Sequence, residues 1–490
     1  MRTMTAPSTL SAHPGTVSPL RATGAILLVS CYELGHLPLG VASPAAFLRR
    51  AGFDPAALDL SVEPLDAGKI ARARLICVSV PMHTALRLGV RAVAQMRELN
   101  PTAHVCFHGL YAALNAAWLL EHGGDSAVGG ESEAALVELA EALEAGQPPD
   151  VPGVSMPGRA ARPRLERLDF PPPARDLLPA TDRYARLEHV GEHRLTGYVE
   201  ATRGCRHLCR HCPIPPVYHG RIFAVPVEVV MADVRSQVAR GVAHVTFGDP
   251  DFLNAPTHAL RAARALHAEF PSVTFDFTAK IEHVLKYRAL FPELVAYGAL
   301  FMVSAVESLS DTVLANLAKG HTRADVFEAL RIVRSAGLPL RPSLVAFTPW
   351  TTLDDYLDVL EAVEGEDLVD HVDPVQYAIR LLVPPGSLLL DHNAIRPYLG
   401  DFDPAAFGYR WTHPDPRMDR LHGAVSARVA HATRSGEDPR ATFAAVRSHA
   451  RGAAGRSEAN GARAREVSAG AEDAAARRHR VPRLSEPWFC

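Results

Sequence analysis

Thr202–Pro213 reads TRGCRHLCRHCP and sets three thiols, Cys205, Cys209 and Cys212, at a C-x-x-x-C-x-x-C spacing. From Thr196 onward, short apolar runs alternate with helical patterns, and candidate strands start near residues 197, 243, 273, 300, 340 and 374. Helical stretches lie between them: Pro226–Arg240, Thr257–Phe270 with a Thr N-cap, and Arg323–Ala336 with Val326, Leu330 and Val333 on one face. Strand–helix units at this spacing predict a partial (β/α)6 barrel over residues 196–400, whose reactive groups sit on the loops after the strands. The thiols occupy the first such loop.

Three thiolates can hold three irons of a cubic 4Fe-4S cluster and leave the fourth iron open. An open coordination position lets a metal bind substrate instead of bracing the fold. The alternative is a structural Cys3His zinc site completed by His207 or His211, although such sites more often pair C-x-x-C units or join one to two distant His. Disulfides fit poorly, because the seven cysteines (Cys31, Cys77, Cys106, Cys205, Cys209, Cys212 and Cys490) are odd in number and scattered.

Upstream, Ala25–Ser30, Arg74–Val80, Ala103–Phe107 and Ser126–Val128 read as strands, with helices at Ser43–Gly52 and Ser132–Ala145. This alternation predicts a doubly wound, Rossmann-like α/β domain over residues 23–147, binding ligands at the carboxyl ends of its strands. Residues 1–22 read as a disordered leader without a secretory signal, 148–195 as a proline-rich linker, and 401–433 as an extension. Arg434–Arg483 holds eleven Arg against six acidic residues and few large apolar side chains, so 434–490 reads as a largely disordered tail. Its last residues, VPRLSEPWFC, differ in character. The 490 residues carry 51 basic and 54 acidic side chains, a net charge of −3, which gives no basic field for nucleic acid or anionic membrane. No run reaches the ~18 apolar residues of a spanning helix, and a cytoplasmic protein is expected.

The thiol spacing on the loop after a first barrel strand resembles the radical S-adenosylmethionine superfamily, over about residues 196–390. The resemblance implies Cys205, Cys209 and Cys212 as cluster ligands and an open iron chelated by the amino and carboxylate groups of S-adenosylmethionine. One electron then splits the sulfonium into a 5′-deoxyadenosyl radical. His211 stands where the family usually has an aromatic residue. Phe247–Phe252 (FGDPDF) falls where a Gly-Gly-Glu stretch meets the amino group, which makes Gly248 and Asp249 candidates. The bland reading there is a Gly-Asp-Pro turn. Ser304–Thr322 resembles the family's fourth-strand stretch, with Ser304, Glu307 and Ser308 near ribose or methionine; the plain alternative is a strand end with Ser310 as a helix N-cap. Lys280 and Arg380 read either as carboxylate contacts or as snorkelling surface cations.

The first domain resembles the cobalamin-binding domain of cobalamin-dependent members. Ser79–Met82, Asn100–Gly109 and Gly129–Glu133 carry the likeness, with Ser79, Met82, His108, Gly109, Gly130 and Glu131 as candidate contacts, and Arg175–Pro179 resembles the join between the domains. In place of the cobalt-ligating D-x-H-x-x-G motif, Glu33–Gly40 offers His36. Its alternatives are a cobalamin whose lower face is open and a sheet kept as scaffold without cobalamin. Cys31, Cys77 and Cys106 read as buried small hydrophobes. The resemblance implies methyl transfer to an unactivated carbon or phosphorus of a small-molecule or peptide substrate, with an electron donor such as a flavodoxin or ferredoxin. The competing readings are a cobalamin-free radical rearrangement or sulfur or selenium insertion, and a noncatalytic cobalamin or iron–sulfur sensor. The ending Glu486–Cys490 resembles a subgroup finishing in Cys-Cys-Ala-Glu-Pro or Cys-selenocysteine-Ala-Glu-Pro. It implies a redox tail at Cys490 and a reading frame continuing through a selenocysteine codon.

Overall fold

A computed structural model describes residues 20–456 and 481–486. The first domain is a six-stranded sheet built from β1 (Ile26–Ser30), β2 (Ala56–Asp59), β3 (Leu75–Ser79), β4 (His104–His108), β5 (Ser126–Val128) and β6 (Val154–Ser155), in the order β2-β1-β3-β4-β5-β6. All but β6 run parallel. Every residue of β1 and β3 is buried, which accounts for their unbroken apolar sequence: helices cover both faces of the sheet. Cys31, Cys77 and Cys106 are buried and unpaired, as expected. The helix Leu39–Arg50 starts four residues before the expected Ser43 and contains Pro44. The Glu33 carboxylate, six residues upstream, accepts from the backbone N–H of Leu39 (2.9 Å) and so caps its start.

The second domain opens with a hairpin, β7 (Arg186–His189) and β8 (Glu192–Val199). A short ribbon of β9 (Thr202–Gly204) and β10 (Ile222–Ala224) brackets the thiol loop. The parallel series continues through β11 (His244–Phe247), β12 (Thr274–Thr278), β13 (Ala299–Glu307) and β14 (Leu340–Leu344). After the small ribbon β15 (Leu399–Asp403) and β16 (Gly408–Trp411) comes β17 (Arg483–Leu484), and the large sheet has the order β14-β13-β12-β11-β8-β7-β17. The sixth barrel strand expected near 374 is a correction. Pro374–Ala378 is a 3₁₀ turn, and the only pairing there is a single parallel bridge, Phe347 to Arg380. Pro374, at the start of that segment, has no N–H to give a ladder. The helix expected to be capped by Thr257 starts at Pro256 instead.

Within the expected tail, the described stretches 434–456 and 481–486 are a second correction, while 457–480 lie outside the described residues. Pro416–Ser435 and Pro439–Ala453 are helices, the latter started by the Asp438 side chain, which accepts from Arg440 N–H at 2.8 Å. Phe443, Val446 and Ala450 are buried in the barrel's core, with the Phe443 ring 5.6 Å from Tyr377. β17 then pairs with β7, and Glu486 accepts from the Tyr32 hydroxyl at 3.1 Å, one residue from Glu33. Cys490 and most of the expected leader lie outside the described residues. The linker region is structured as well. Arg175, wholly buried, forms a two-pronged pair with Asp233 (2.9 Å each) and donates to the carbonyls of Leu37 (3.1 Å) and Tyr198 (2.7 Å), which ties the two domains together.

Candidate active site

The thiol loop leaves β9 at Gly204, whose φ is +75°; a Cβ there would lie 2.4 Å from the Arg221 carbonyl, so only glycine fits. Cys205 and Cys209 are buried and Cys212 half-buried, and none is paired. The Asn254 amide donates to Cys205 Sγ at 3.5 Å. Burial pushes the Cys205 thiol up and Cys212 to about 12. These groups therefore stay protonated until a metal displaces the protons. A single tetrahedral zinc with Zn–S bonds of about 2.3 Å holds its sulfurs about 3.8 Å apart. Among the described residues, the three sulfurs do not all approach within 4.8 Å of one another.

Beside the loop lies a trio of buried Glu307 and Lys319 with half-buried His211. Glu307 Oε1 is 3.1 Å from Lys319 Nζ and 3.4 Å from His211 Nε2. Burial alone would raise the Glu307 carboxyl, but the Lys319 ammonium and His211 outweigh it and hold the group well below the usual carboxylate range. Lys319 is 2% exposed and was missed in the sequence. The available signal was its scarcity, since the chain has only four lysines, Lys69, Lys280, Lys286 and Lys319. Ser304 Oγ donates to the Ala279 carbonyl (2.7 Å), and Ser308 Oγ accepts from Ser310 N–H (3.1 Å), so both hydroxyls serve the strand end. Ser310 sits at the N-cap without capping through its own side chain. Asp249 accepts from Ala201 N–H (2.9 Å) and the Thr202 hydroxyl (2.5 Å), and burial pushes it up to about 7. Lys280 is buried, not a surface cation, whereas Arg380 pairs with Asp419 at 2.8 Å and lies 3.6 Å over the Trp411 ring.

Between the domains lies a cavity of about 290 Å³. Of the candidate cobalamin contacts, His36, Ser79, Met82, His108, Gly109 and Gly130 line it, facing Tyr198, Arg203, Gly204 and Gly248 of the barrel. Glu131 backs the wall: it and Glu133 hold Arg203 at 3.3 and 2.7 Å, and Glu200 holds it at 3.0 Å. Arg203 thus links the first domain's ligand loop to a position two residues before Cys205. His36 packs on Tyr198 with ring centres 4.6 Å apart, and desolvation lowers its pKa to about 4, leaving it neutral. His108 is shifted likewise, and its Nε2 is buried without a hydrogen-bond partner. Glu33 at the cavity wall is pushed up to about 8 and Glu131 to about 7, burial being the main cause in each. An unpartnered imidazole nitrogen, positive φ at Gly109 and Gly130, and a cleft open to both domains suit a large polar ligand at the end of this sheet.

Residues 199–363 match the radical SAM superfamily, and residues 25–140 match the B12 binding domain. The chain joins a B12-binding domain to a radical SAM domain. The second implies a 4Fe-4S cluster, S-adenosylmethionine and an electron donor, and the first implies cobalamin. The chain is similar to a hopanoid C-3 methylase of Methylococcus capsulatus, 28% identical over 69% of this chain and 64% of that one. It therefore spans less than two thirds of that relative's length. Its fold is similar to the cobalamin-dependent S-adenosylmethionine radical enzyme OxsB with aqua-cobalamin and S-adenosylmethionine bound (TM-score 0.66, 15% identity, 82% of this chain and 66% of that one). It is also similar to the radical S-adenosylmethionine methyltransferase TsrM from Kitasatospora setae (TM-score 0.58, 18% identity, 70% and 73%). Among the described residues, no helix is long and apolar enough to cross a membrane.

Proposed function

We propose that the protein is a cobalamin-dependent radical S-adenosylmethionine methyltransferase acting on an unactivated carbon or phosphorus centre. The observation that carries this reading is the interdomain cavity, one wall of which is the B12-binding domain and the other the root of the thiol loop. The methylase relative and TsrM support methyl transfer as the reaction class. Cys205, Cys209 and Cys212 hold the cluster, and His36, Ser79, Met82, His108, Gly109 and Gly130 form the cobalamin wall. When bound, the cluster supplies the electron that splits S-adenosylmethionine, and cobalamin supplies the metal that carries the methyl group. The protein's part is placement. Arg203 fixes the thiol loop against the first domain, the Glu307–Lys319 pair braces the loop's far side, and Tyr198 packs closely over Gly248 at the cavity wall. A flavodoxin or ferredoxin is the proposed reductant.

Anaerobic reconstitution with iron, sulfide and hydroxocobalamin tests the reading. A brown protein with about four irons and one corrin per chain is expected, yielding 5′-deoxyadenosine from S-adenosylmethionine only with a reductant. Corrin-free protein that still cleaves S-adenosylmethionine would restore the cobalamin-free alternative. Retention of that activity by the Cys205→Ala, Cys209→Ala, Cys212→Ala variant would sink the site assignment.

A further inference from the structure

We propose that His207, Asp251 and His283 form a second metal site, separate from the thiols, which takes one divalent first-row ion such as Zn²⁺ and pins the thiol loop to the ends of β11 and β12. The inference does not depend on the reaction the enzyme performs. Asp251 Oδ2 lies 2.8 Å from His283 Nδ1 and 3.7 Å from His207 Nε2, and the two imidazoles approach to 3.3 Å through their Nε2 atoms. Ligand atoms about 2.1 Å from one ion are about 3.0 Å apart in an octahedral arrangement and about 3.4 Å apart in a tetrahedral one; with one nitrogen from each imidazole and one carboxylate oxygen, the three donors lie within 4.8 Å of one another, so a small approach closes them on an ion. Among the described residues, this trio is the group of metal-ligating side chains whose donor atoms all fall within 4.8 Å of one another.

A hydrogen bond joins His207 Nε2 to His283 Nε2, but hydrogen bonding leaves His283 Nδ1 unsatisfied. His283 is 6% exposed, and its Nδ1, though 2.8 Å from a carboxylate oxygen, makes no hydrogen bond. The nitrogen is thus in contact with the carboxylate oxygen without a hydrogen bond between them, which leaves it available to a cation. Asp251 is wholly buried, and among the described residues its ion-pairing partners are these two histidines. A buried carboxylate without a matched cation is costly, and an ion would neutralise it.

The surroundings supply what such sites require. Asp251 Oδ1 accepts from Leu253 N–H at 3.0 Å, which fixes the carboxylate plane. His207 turns its other nitrogen, Nδ1, toward Glu282 Oε2 at 3.5 Å, the carboxylate–imidazole–metal arrangement that orients a histidine ligand. The Lys280 ammonium pairs with Glu282 at 3.5 Å, while its backbone N–H donates to Asp251 Oδ2 at 3.4 Å. Two nitrogens and one oxygen suit Zn²⁺ or Fe²⁺. His207 lies between Cys205 and Cys209, whereas Asp251 follows β11 and His283 follows β12. An ion here would fasten the loop at its centre.

Full-length protein with its cluster already built, so that the thiolates are occupied, is equilibrated with ZnCl₂, desalted and assayed for metals. About one zinc is expected beside the irons, and X-ray absorption at the zinc edge should show only nitrogen and oxygen ligands near about 2.0–2.1 Å. His283→Ala and Asp251→Asn should lose zinc from the desalted protein, and Glu282→Gln should weaken it by about 10-fold or more, while iron content and the cluster's visible absorption persist. Absence of zinc, sulfur in the zinc shell, or undiminished uptake in Asp251→Asn overturns the proposal. Should the variants fail to fold, the absorption spectrum of the unaltered protein still decides it.

Discussion

Lys319 shows what a single buried charge commits the fold to. It lies 3.1 Å from Glu307, both side chains are nearly sealed from solvent, and Glu307 adopts φ +64°. A non-glycine residue in the left-handed region is strained, and this one is kept there by its ammonium partner and by His211. Lys319→Met would leave the buried carboxylate without its ammonium, with only His211 beside it, and should cost about 3–5 kcal/mol, whereas Lys319→Met combined with Glu307→Gln should recover more than half of the loss. Urea unfolding of the four proteins of this cycle, in the apo form, reads it directly. Gly248 is a second case. A Cβ there would lie 2.0 Å from the Tyr198 ring, so Gly248→Ala must push Tyr198 into the cavity that His36 also lines. Corrin bound per chain should fall while the far-ultraviolet circular dichroism stays unchanged. At this scale the sequence disclosed the thiols, because their spacing is itself the chemistry. Lys319 and Arg203 stayed hidden, because the pairing of Lys319 with Glu307 across twelve residues, and of Arg203 with Glu131 some seventy residues away, follows no local period and is made only in the folded chain.

Elements follow the same division. Strands buried on both faces, such as β1 and β3, announce themselves as short apolar runs, and Ser132–Glu144 appears with the expected apolar face and the Gly stop after it. β2 escaped notice: AALD is too short and too alanine-rich to read as a strand, and it is recruited by β1 alone. The error at Pro439–Ala453 has a different cause. Its composition resembles a solvated chain, yet alanine and arginine are good helix formers, and three residues on one face suffice to seat it. That seat is testable. Phe443 is buried against Tyr377, so Phe443→Ala should destabilise the protein by about 3–5 kcal/mol. A mere surface helix would lose far less, and calorimetry distinguishes the two. The same reasoning covers Val481–Glu486, whose docking on β7 depends on a partner strand some three hundred residues away and has no local signature.

For the whole molecule, the join between domains sets the pH response. Glu33, Glu131 and Asp249 keep their protons up to about 8, about 7 and about 7 because the interface desolvates them. In the unfolded chain, such groups ionise near about 4. From that range up to their folded values the native state binds more protons than the unfolded state, so stability falls as pH rises. His36, His108, His207 and His321 act oppositely. Burial lowers each to about 4, so the unfolded chain binds the extra protons and stability climbs toward the unfolded value of about 6.5, beyond which their contribution is constant. The two sets offset each other in mild acid, and above pH 6.5 only the carboxyls still titrate. The urea midpoint of the apo protein should therefore decline between about pH 6.5 and 8. Glu33→Gln, neutral at every pH, should flatten the upper part of that decline, since Glu33 is the last of the three to ionise. A midpoint that rises across this window, or a Glu33→Gln profile parallel to the parent's, would place these carboxyls outside the desolvated interface.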